Sequence, residues 1–486
     1  MKKVATFVSN IRVTSLLCCS AAVLLSACGA GSNMADSQQA QTAAMSYSVD
    51  TAGAPVTGAD GSTVAAADAS GAAAAPEAVA STAGDTGAES AAAPADGSTR
   101  LLAMVTVGNT TPAPDTTAAP AAAMMTAATT TTAGYVVPTS TKNLYVATTG
   151  SDSNPGTQLK PVKSIARATA LASAGYVIHV APGTYTVSAP SAGSAGILTT
   201  KSGSSSARIS YVSDVKNGAR LVMSGTGILW DSKGSYVDIL GFDLSGSGRI
   251  GILAEGGSLN INYNYIHDFT VSGGCNGGGG GAIVSTGSLG NVVMSSNLIK
   301  NIGYQWVAGG TCNTVQGIYI SNTKNVITNN VVSGIAAVAI QQWHGATDST
   351  IVNNTVFHSK MGILIGQGDA GATATGSQNN YVANNIAYDN KYYGIIESGL
   401  VGGNNRYVNN LVASSGTNWK VKGSVSGSIS SNPLFVNYQP NGSGNYRLSS
   451  SSPAIDRGTA TLAPKIDIAG VARPRGAAFD IGAYEY

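Results

Sequence analysis

The sequence predicts an all-β solenoid of short strands, and three observations carry that expectation. One pattern returns six times: Ile261-x-x-Asn264-x-Ile266, Met294-x-x-Asn297-x-Ile299, Ile327-x-x-Asn330-x-Val332, Ile351-x-x-Asn354-x-Val356, Val382-x-x-Asn385-x-Ala387 and Tyr407-x-x-Asn410-x-Val412. Its asparagines are 33, 33, 24, 31 and 25 residues apart, so a coil near the shortest of these spacings sometimes carries a longer loop, as solenoid repeats do. Within each copy the apolar residues are odd-spaced around the Asn and rich in β-branched types, which suits strands bounded by turns and not helices. Each coil then supplies another strand, marked by Gly251-Ile252, Ala282-Ile283, Gly317-Ile318, Ala339-Ile340, Gly362-Ile363 and Gly394-Ile395. The small residue allows a tight corner, and the isoleucine is expected inside the stack. Stacked asparagines are expected to form an internal ladder, hydrogen-bonded between rungs roughly 4.8 Å apart.

In chain order, residues 1–28 read as an export signal. Lys2, Lys3 and Arg12 precede an apolar run, Leu16 to Leu25, that is too short for a membrane span. The run ends in Leu25-Ser26-Ala27-Cys28-Gly29, which resembles the lipobox of bacterial lipoproteins. That resemblance implies lipidation at Cys28, and Gly29 in place of an inner-membrane retention aspartate implies the outer membrane, on its periplasmic side or at the cell surface. Residues 29–141 are dominated by Ala, Thr, Ser, Gly and Pro and carry nine acidic residues against Arg100 alone. Such a segment buries too little apolar surface to offset its ordering entropy, and a disordered stalk is expected.

Residues 142–486 form the expected folded domain: an N-terminal cap at 142–190, coils over about 200–430 and a closing module at 431–486. This part holds 22 Lys and Arg against 15 Asp and Glu, a balance of +7 that the whole-chain +2 hides. A basic repeat domain favours an anionic partner such as an acidic polysaccharide. Nucleic acid is not expected for an exported chain without a clustered basic run, and a monomer is.

The block from Leu144-Tyr145-Val146 through Asp152-Ser153-Asn154-Pro155-Gly156 and Lys160-Pro161-Val162 to Val180-Ala181-Pro182-Gly183-Thr184-Tyr185 resembles the N-terminal cap of the pectate-lyase-like superfamily. The resemblance implies a right-handed, single-stranded parallel β-helix. It also implies a short capping helix, Ser164 to Ala172, that shields the open end from strand addition. Asn432-Pro433-Leu434-Phe435-Val436, Ser452-Pro453-Ala454-Ile455-Asp456-Arg457-Gly458 and Phe479-Asp480-Ile481-Gly482-Ala483-Tyr484 resemble the closing module of bacterial surface β-helix proteins. There, Asp456, Asp467 and Asp480 read as turn and capping groups. Asp152 and Asn154 suit Asx-turns, with a bound calcium ion as the other reading.

Cysteine usage narrows further. Cys18 and Cys19 belong to the signal and Cys28 to the lipid site, which leaves Cys275 and Cys312 in Gly-rich loops of adjacent coils. An oxidising compartment predicts a disulfide between them. Zinc lacks further ligands at a suitable spacing.

Catalysis is not settled by fold. The superfamily's pectin-hydrolase set, with its Asn-Thr-Asp and Gly-His-Gly motifs, is missing, as are the Trp-Ile-Asp-His and Arg-x-Pro-x-x-Arg strands of its commonest lyases. The calcium-binding aspartate cluster of its family-nine lyases is missing too, although a lysine base is available. The ionisable residues that remain follow the coil asparagines: His267 and Asp268, His358 and Lys360, Asp389 and Lys391. The last two sets share offsets of four and six residues from their Asn and should stack on the surface. Trp343 and His344 end another strand, and an exposed Trp suits stacking on a sugar ring. Abstraction of a uronate C5 proton needs a base and a cation for the carboxylate, roles that fit Lys360, Lys391 and His358; the other reading of these residues is ordinary solvated turns of a solenoid. His344, Trp343, Asp389, His267 and Asp268 are the candidates for substrate contact. Gly277 to Gly281 reads as a cleft rim, and Tyr304, Trp306 and Tyr319 nearby have two readings, lining for that cleft or core packing. Two readings stand: a lyase of an anionic polysaccharide, or a non-catalytic glycan-binding or adhesive solenoid.

Overall fold

A computed structural model of the chain describes residues 134–272, 275, 279–303, 312–368 and 375–486. The export signal, Cys28 and the stalk up to residue 133 lie outside these residues, as do Tyr304, Trp306, Gly277 and Gly278 of the expected rim. Three parallel sheets run side by side, one of eleven strands and two of nine. The chain passes through them in turn, as in Val326–Thr328, Val331–Ile335 and Val338–Gln342. It then re-enters the first sheet one rung later at Thr350–Val352. This is the right-handed parallel β-helix expected from the repeats, with the hand that right-twisted strands favour for parallel crossovers.

Register converts the repeat into columns. Ile261, Met294, Ile327, Ile351, Val382 and Tyr407 pair in succession along the first sheet, all fully buried. Ile266, Ile299, Val332, Val356, Ala387 and Val412 do the same along the second. At the corner between them the six asparagines stack as a ladder, each at most 1% exposed. Nδ2 of Asn297 donates to Oδ1 of Asn330 at 3.0 Å, Asn330 to Asn354 at 2.9 Å, and Asn354 to Asn385 at 3.0 Å. The same Oδ1 atoms accept the backbone N–H of the preceding rung, and the second Nδ2 hydrogen reaches a carbonyl, as Asn330 does to Met294 at 2.8 Å. Every polar atom of an inner rung is thereby satisfied, which a buried amide requires.

The third sheet explains the small residues. Gln316 pairs with Val338 and Ile318 with Ile340, and the register passes over Gly317 between them. A Cβ there would lie 2.6 Å from a Val332 methyl, and one at Gly394 would lie 2.3 Å from Val412. The corner is tight because the second sheet's interior valines occupy it.

The residue before each ladder Asn adopts a left-handed conformation: Tyr263, Ser296, Asn329, Asn353, Asn384 and Asn409 have φ of 51–62°. Asn tolerates this region better than most residues. The outward amides of these turns hold the C-terminal module. Asn353 donates to the carbonyls of Asp480 and Gly482, Asn384 to Thr459, and Asn409 to Arg457. The antiparallel pair Phe435–Asn437 and Asn445–Leu448 meanwhile lies on the outer face of the second sheet. Here Phe435, Tyr438 and Tyr446 pack on Phe357 and Tyr388. The expected closing module therefore docks along the side of the coils and does not close their end. Its aspartates are turn groups as expected: Asp467 Oδ1 accepts from Ala469 and Val471, and Asp480 accepts from Asp456 and Tyr486.

At the N-terminal end the helix Ile165–Leu171 is capped by Ser164, whose Oγ accepts from Arg167 N at 3.0 Å. Asp152 braces that cap by accepting from Lys163 N, Ser164 N and Ser164 Oγ. The packed chain also begins before residue 142. Tyr135 is 2% exposed among Val177, Val212 and Leu240, and its hydroxyl donates to Ser213 O at 2.6 Å.

Asn330→Leu removes the acceptor for both the backbone N–H and the Nδ2 of Asn297. At about 1–3 kcal/mol per stranded buried group, the variant is expected to lose about 2–6 kcal/mol. Equilibrium denaturation of the two proteins measures this, and a loss below about 1 kcal/mol would show that the ladder tolerates a missing rung.

Candidate functional site

The C-terminal module covers the corner between the first and second sheets, and Lys360 and Lys391 lie at the corner leading into the third. Lys360 and Lys391 precede Met361–Gln367 and Tyr393–Gly399, adjacent strands of the third sheet. Both ammonium groups lie over the Tyr392 ring, at 5.7 and 5.3 Å from its centroid. The shared offset therefore does bring the two lysines together. They differ in setting, however: Lys360 is only 8% exposed, contrary to the expected surface position. Its Nζ donates to Cys312 O at 2.6 Å and to Asn313 Oδ1 at 2.8 Å. Burial, reinforced by the Lys391 charge, pushes its proton affinity below the usual lysine range.

His358 and Asp389 also stack as the offset predicts, with His358 Nδ1 3.1 Å from Asp389 Oδ2. Both sit in left-handed turns, at φ of 48° and 53°. Their partner is the docked module: Tyr438 OH donates to the same Asp389 oxygen at 2.5 Å. Burial would raise the Asp389 pKa, but the hydrogen bonds from His358 and Tyr438 and the imidazole charge lower it overall. The pair thus latches the module onto the coils.

Trp343 and His344 lie apart from the lysines, beyond the opposite end of the strand Val338–Gln342. The expected exposed stacking surface is corrected here, since Trp343 is only 5% exposed. A Cβ at Gly366, Gly368 or Gly399 would lie 2.7, 2.6 and 3.2 Å from its ring, so the later rungs leave room for the indole to lie flat against backbone. His344 faces Tyr319, itself buried, at 6.1 Å between ring centroids.

His267 and Asp268 form a closed cluster on the second sheet. A register shift between Ile266 and Phe269 inserts them as a bulge. His267 Nε2 meets Asp243 Oδ1 at 3.0 Å, its Nδ1 meets Asp268 Oδ2 at 2.8 Å, and Asn301 donates to Asp268 Oδ1 at 2.8 Å. Tyr265 stacks on the imidazole at 4.0 Å. Both ring nitrogens are occupied internally, so the expected substrate contact by His267 does not fit this geometry. The role here is to hold neighbouring rungs.

Cys275 and Cys312 are joined by the expected disulfide, with Cα atoms 4.7 Å apart. Among the described residues no group of three or more His, Cys, Asp or Glu side chains could hold a metal ion. At Asp152, where calcium was the alternative, both carboxylate oxygens accept from protein donors.

Residues 148–191, which span most of the N-terminal cap, match a family model described as a protein of unknown function (DUF1565). No curated protein matches the chain. Among solved structures it is similar to the pectate lyase Pel9A, at 16% identity and a TM-score of 0.49, over 71% of this chain and 97% of that one. It is similar to a rhamnogalacturonan lyase at 19% identity and a TM-score of 0.44, over 64% and 96% of the two chains. An alginate lyase from Paenibacillus sp. str. FPU-7 gives 17% identity and a TM-score of 0.38, over 59% and 98%.

The His267 cluster makes a signed prediction. Burial alone would lower the imidazole pKa, but the hydrogen bonds and charges of Asp243 and Asp268 raise it overall. Its stabilisation is therefore complete below the unfolded value of about 6.5 and is lost as pH rises through the higher folded value. Asp268 is shifted down, since bonds from Asn301 and His267 outweigh its burial, and its contribution is lost only as pH falls through that lowered value. Thermal unfolding of the parent should weaken above neutral pH more than that of His267→Gln. Parallel pH profiles for the two proteins would contradict this account.

Proposed function

We propose that this protein binds an anionic polysaccharide at the outside of its β-helix and cleaves it by β-elimination, with Lys360 as base and Lys391 as the cation that holds the uronate carboxylate. The observation that carries the reading is the lysine pair on adjacent rungs over Tyr392, one lysine with its proton affinity lowered by burial and further by its neighbour's charge. A lysine base near neutral pH needs that depression, and a carboxylate on the way to a dianion needs the second cation. In the step, the amine takes the proton at C5, the C4–C5 double bond forms, and the C4–oxygen bond breaks as that oxygen gains a proton from water. The +7 balance of residues 142–486 favours the same class of ligand.

The non-catalytic binding or adhesive reading has one observation in its favour. His358 and Asp389, the ionisable pair nearest in sequence to these lysines, serve the latch to Tyr438. The experiment that separates the readings is a glycan-binding screen followed by ultraviolet detection of unsaturated product on every ligand found. Lys360→Ala is expected to lower kcat by about 10²–10⁴-fold while binding persists, the range for loss of a general base. Lys391→Ala, which removes the cation for the developing dianion, is expected to lower kcat as well as raise KM. Full activity in both variants would remove the site, and binding without product in the parent would select the adhesive reading.

For location, the lipobox-like Leu25-Ser26-Ala27-Cys28 supports export and lipid anchoring at Cys28 to the bacterial outer membrane. Cys28→Ser should abolish lipid labelling and release the protein to a soluble fraction or arrest its processing. Unchanged labelling and membrane fractionation would refute the anchor.

A further inference from the structure

The amine of Lys360 is held from a distance. Cys312 and Asn313 precede Val315–Ile320, whereas Lys360 precedes a strand two rungs later. The intervening rung has Ala336 at the offset occupied by Lys360, small enough to leave a path for the lysine side chain. The receiving segment is itself braced. Cys312 is disulfide-bonded to Cys275, Thr314 Oγ1 donates to Cys275 O at 3.5 Å, and Gln316 Nε2 donates to Asn313 O at 3.1 Å. Gln316 Nε2 also donates to Gln341 Oε1 at 3.0 Å, which ties the brace to the third sheet.

We infer that Asn313 is the positioning residue of the Lys360 amine, and that the Cys275–Cys312 disulfide is the tether that keeps it in place. The inference rests on the reading of Lys360 as base. A neutral amine has two N–H donors and one lone pair. The acceptors Cys312 O and Asn313 Oδ1, at 2.6 and 2.8 Å, take both donors and turn the lone pair away from the loop. Without them the amine of a flexible side chain would rotate freely, and its lone pair would point at a substrate proton only part of the time. Among the described residues the titratable groups facing Lys360 are Lys391 and Tyr392, so Asn313 supplies a neutral acceptor where a carboxylate would lock the ammonium form.

The test needs no glycan, and so it stands or fails separately from the lyase assay. Competitive acylation by acetic anhydride, resolved lysine by lysine by mass spectrometry across pH, is run on the full-length oxidised protein. In Asn313→Asp the reactivity midpoint of Lys360 is expected to rise by about one unit or more, the usual effect of an opposite charge in contact, with Lys391 moving less. In Asn313→Ala, and in the double variant Cys275→Ser with Cys312→Ser, Lys360 is expected to react several-fold faster than in the parent while Lys391 is unchanged. An unshifted Lys360 midpoint in Asn313→Asp overturns the inference, as does parent-like Lys360 reactivity in both other proteins. A purely structural role for Asn313 would not move the midpoint of one lysine alone.

Discussion

A column of buried amides sets the terms for this molecule. A parallel coil stack has little to stop one rung sliding along its neighbour, because aliphatic columns of Ile and Val accept many registers. The asparagine ladder does not. Each inner Oδ1 takes the backbone N–H and the Nδ2 of the preceding rung, so a slip of one residue leaves several buried polar groups without partners. Fixed register is what gives equal offsets from the Asn a spatial meaning. Lys360 and Lys391 meet over one tyrosine because Asn354 and Asn385 are bonded to each other.

The ladder also organises the outside. To turn its side chain inward, each ladder Asn follows a residue in a left-handed bend, and that residue projects its side chain outward. Where that residue is Asn, as at 353, 384 and 409, the outward amide becomes a docking group for the C-terminal module. The apolar face of the second sheet and the polar corner beside it are thereby covered together. The lysines stand at the other corner, where the chain enters the third sheet.

The repeat was legible because it is periodic, and periodicity survives loops of varying length. The small-residue corners were legible for the same reason, although their cause, the valine methyls of the second sheet, belongs to packing. The Asn-Asn doublets carried a signal for the left-handed turns and the docked module, but sequence reasoning credited only their second members. Trp343 is buried where the sequence predicts exposure, because an outward strand position normally meets solvent. The clue lay in Gly366 and Gly368, one rung on, and Gly399 beyond them, whose missing side chains admit the ring. The enclosure of His267 depends on a bulge that aligns it with Asp243, and nothing local announces a register shift.

Lys360 is the hardest case, since what buries it comes from 48 residues earlier in the chain. No pattern around the lysine marks that contact, and the disulfide that fixes it looks in sequence like a loop staple. Physically the two features belong together. A lysine with lowered proton affinity is easily produced by burial, but burial alone leaves its amine undirected and hides it from substrate. Two acceptors on a tethered segment change that balance, because they satisfy the N–H groups while leaving the lone pair uncommitted. The same segment that encloses Lys360 thus decides whether it is a silent core lysine or a base.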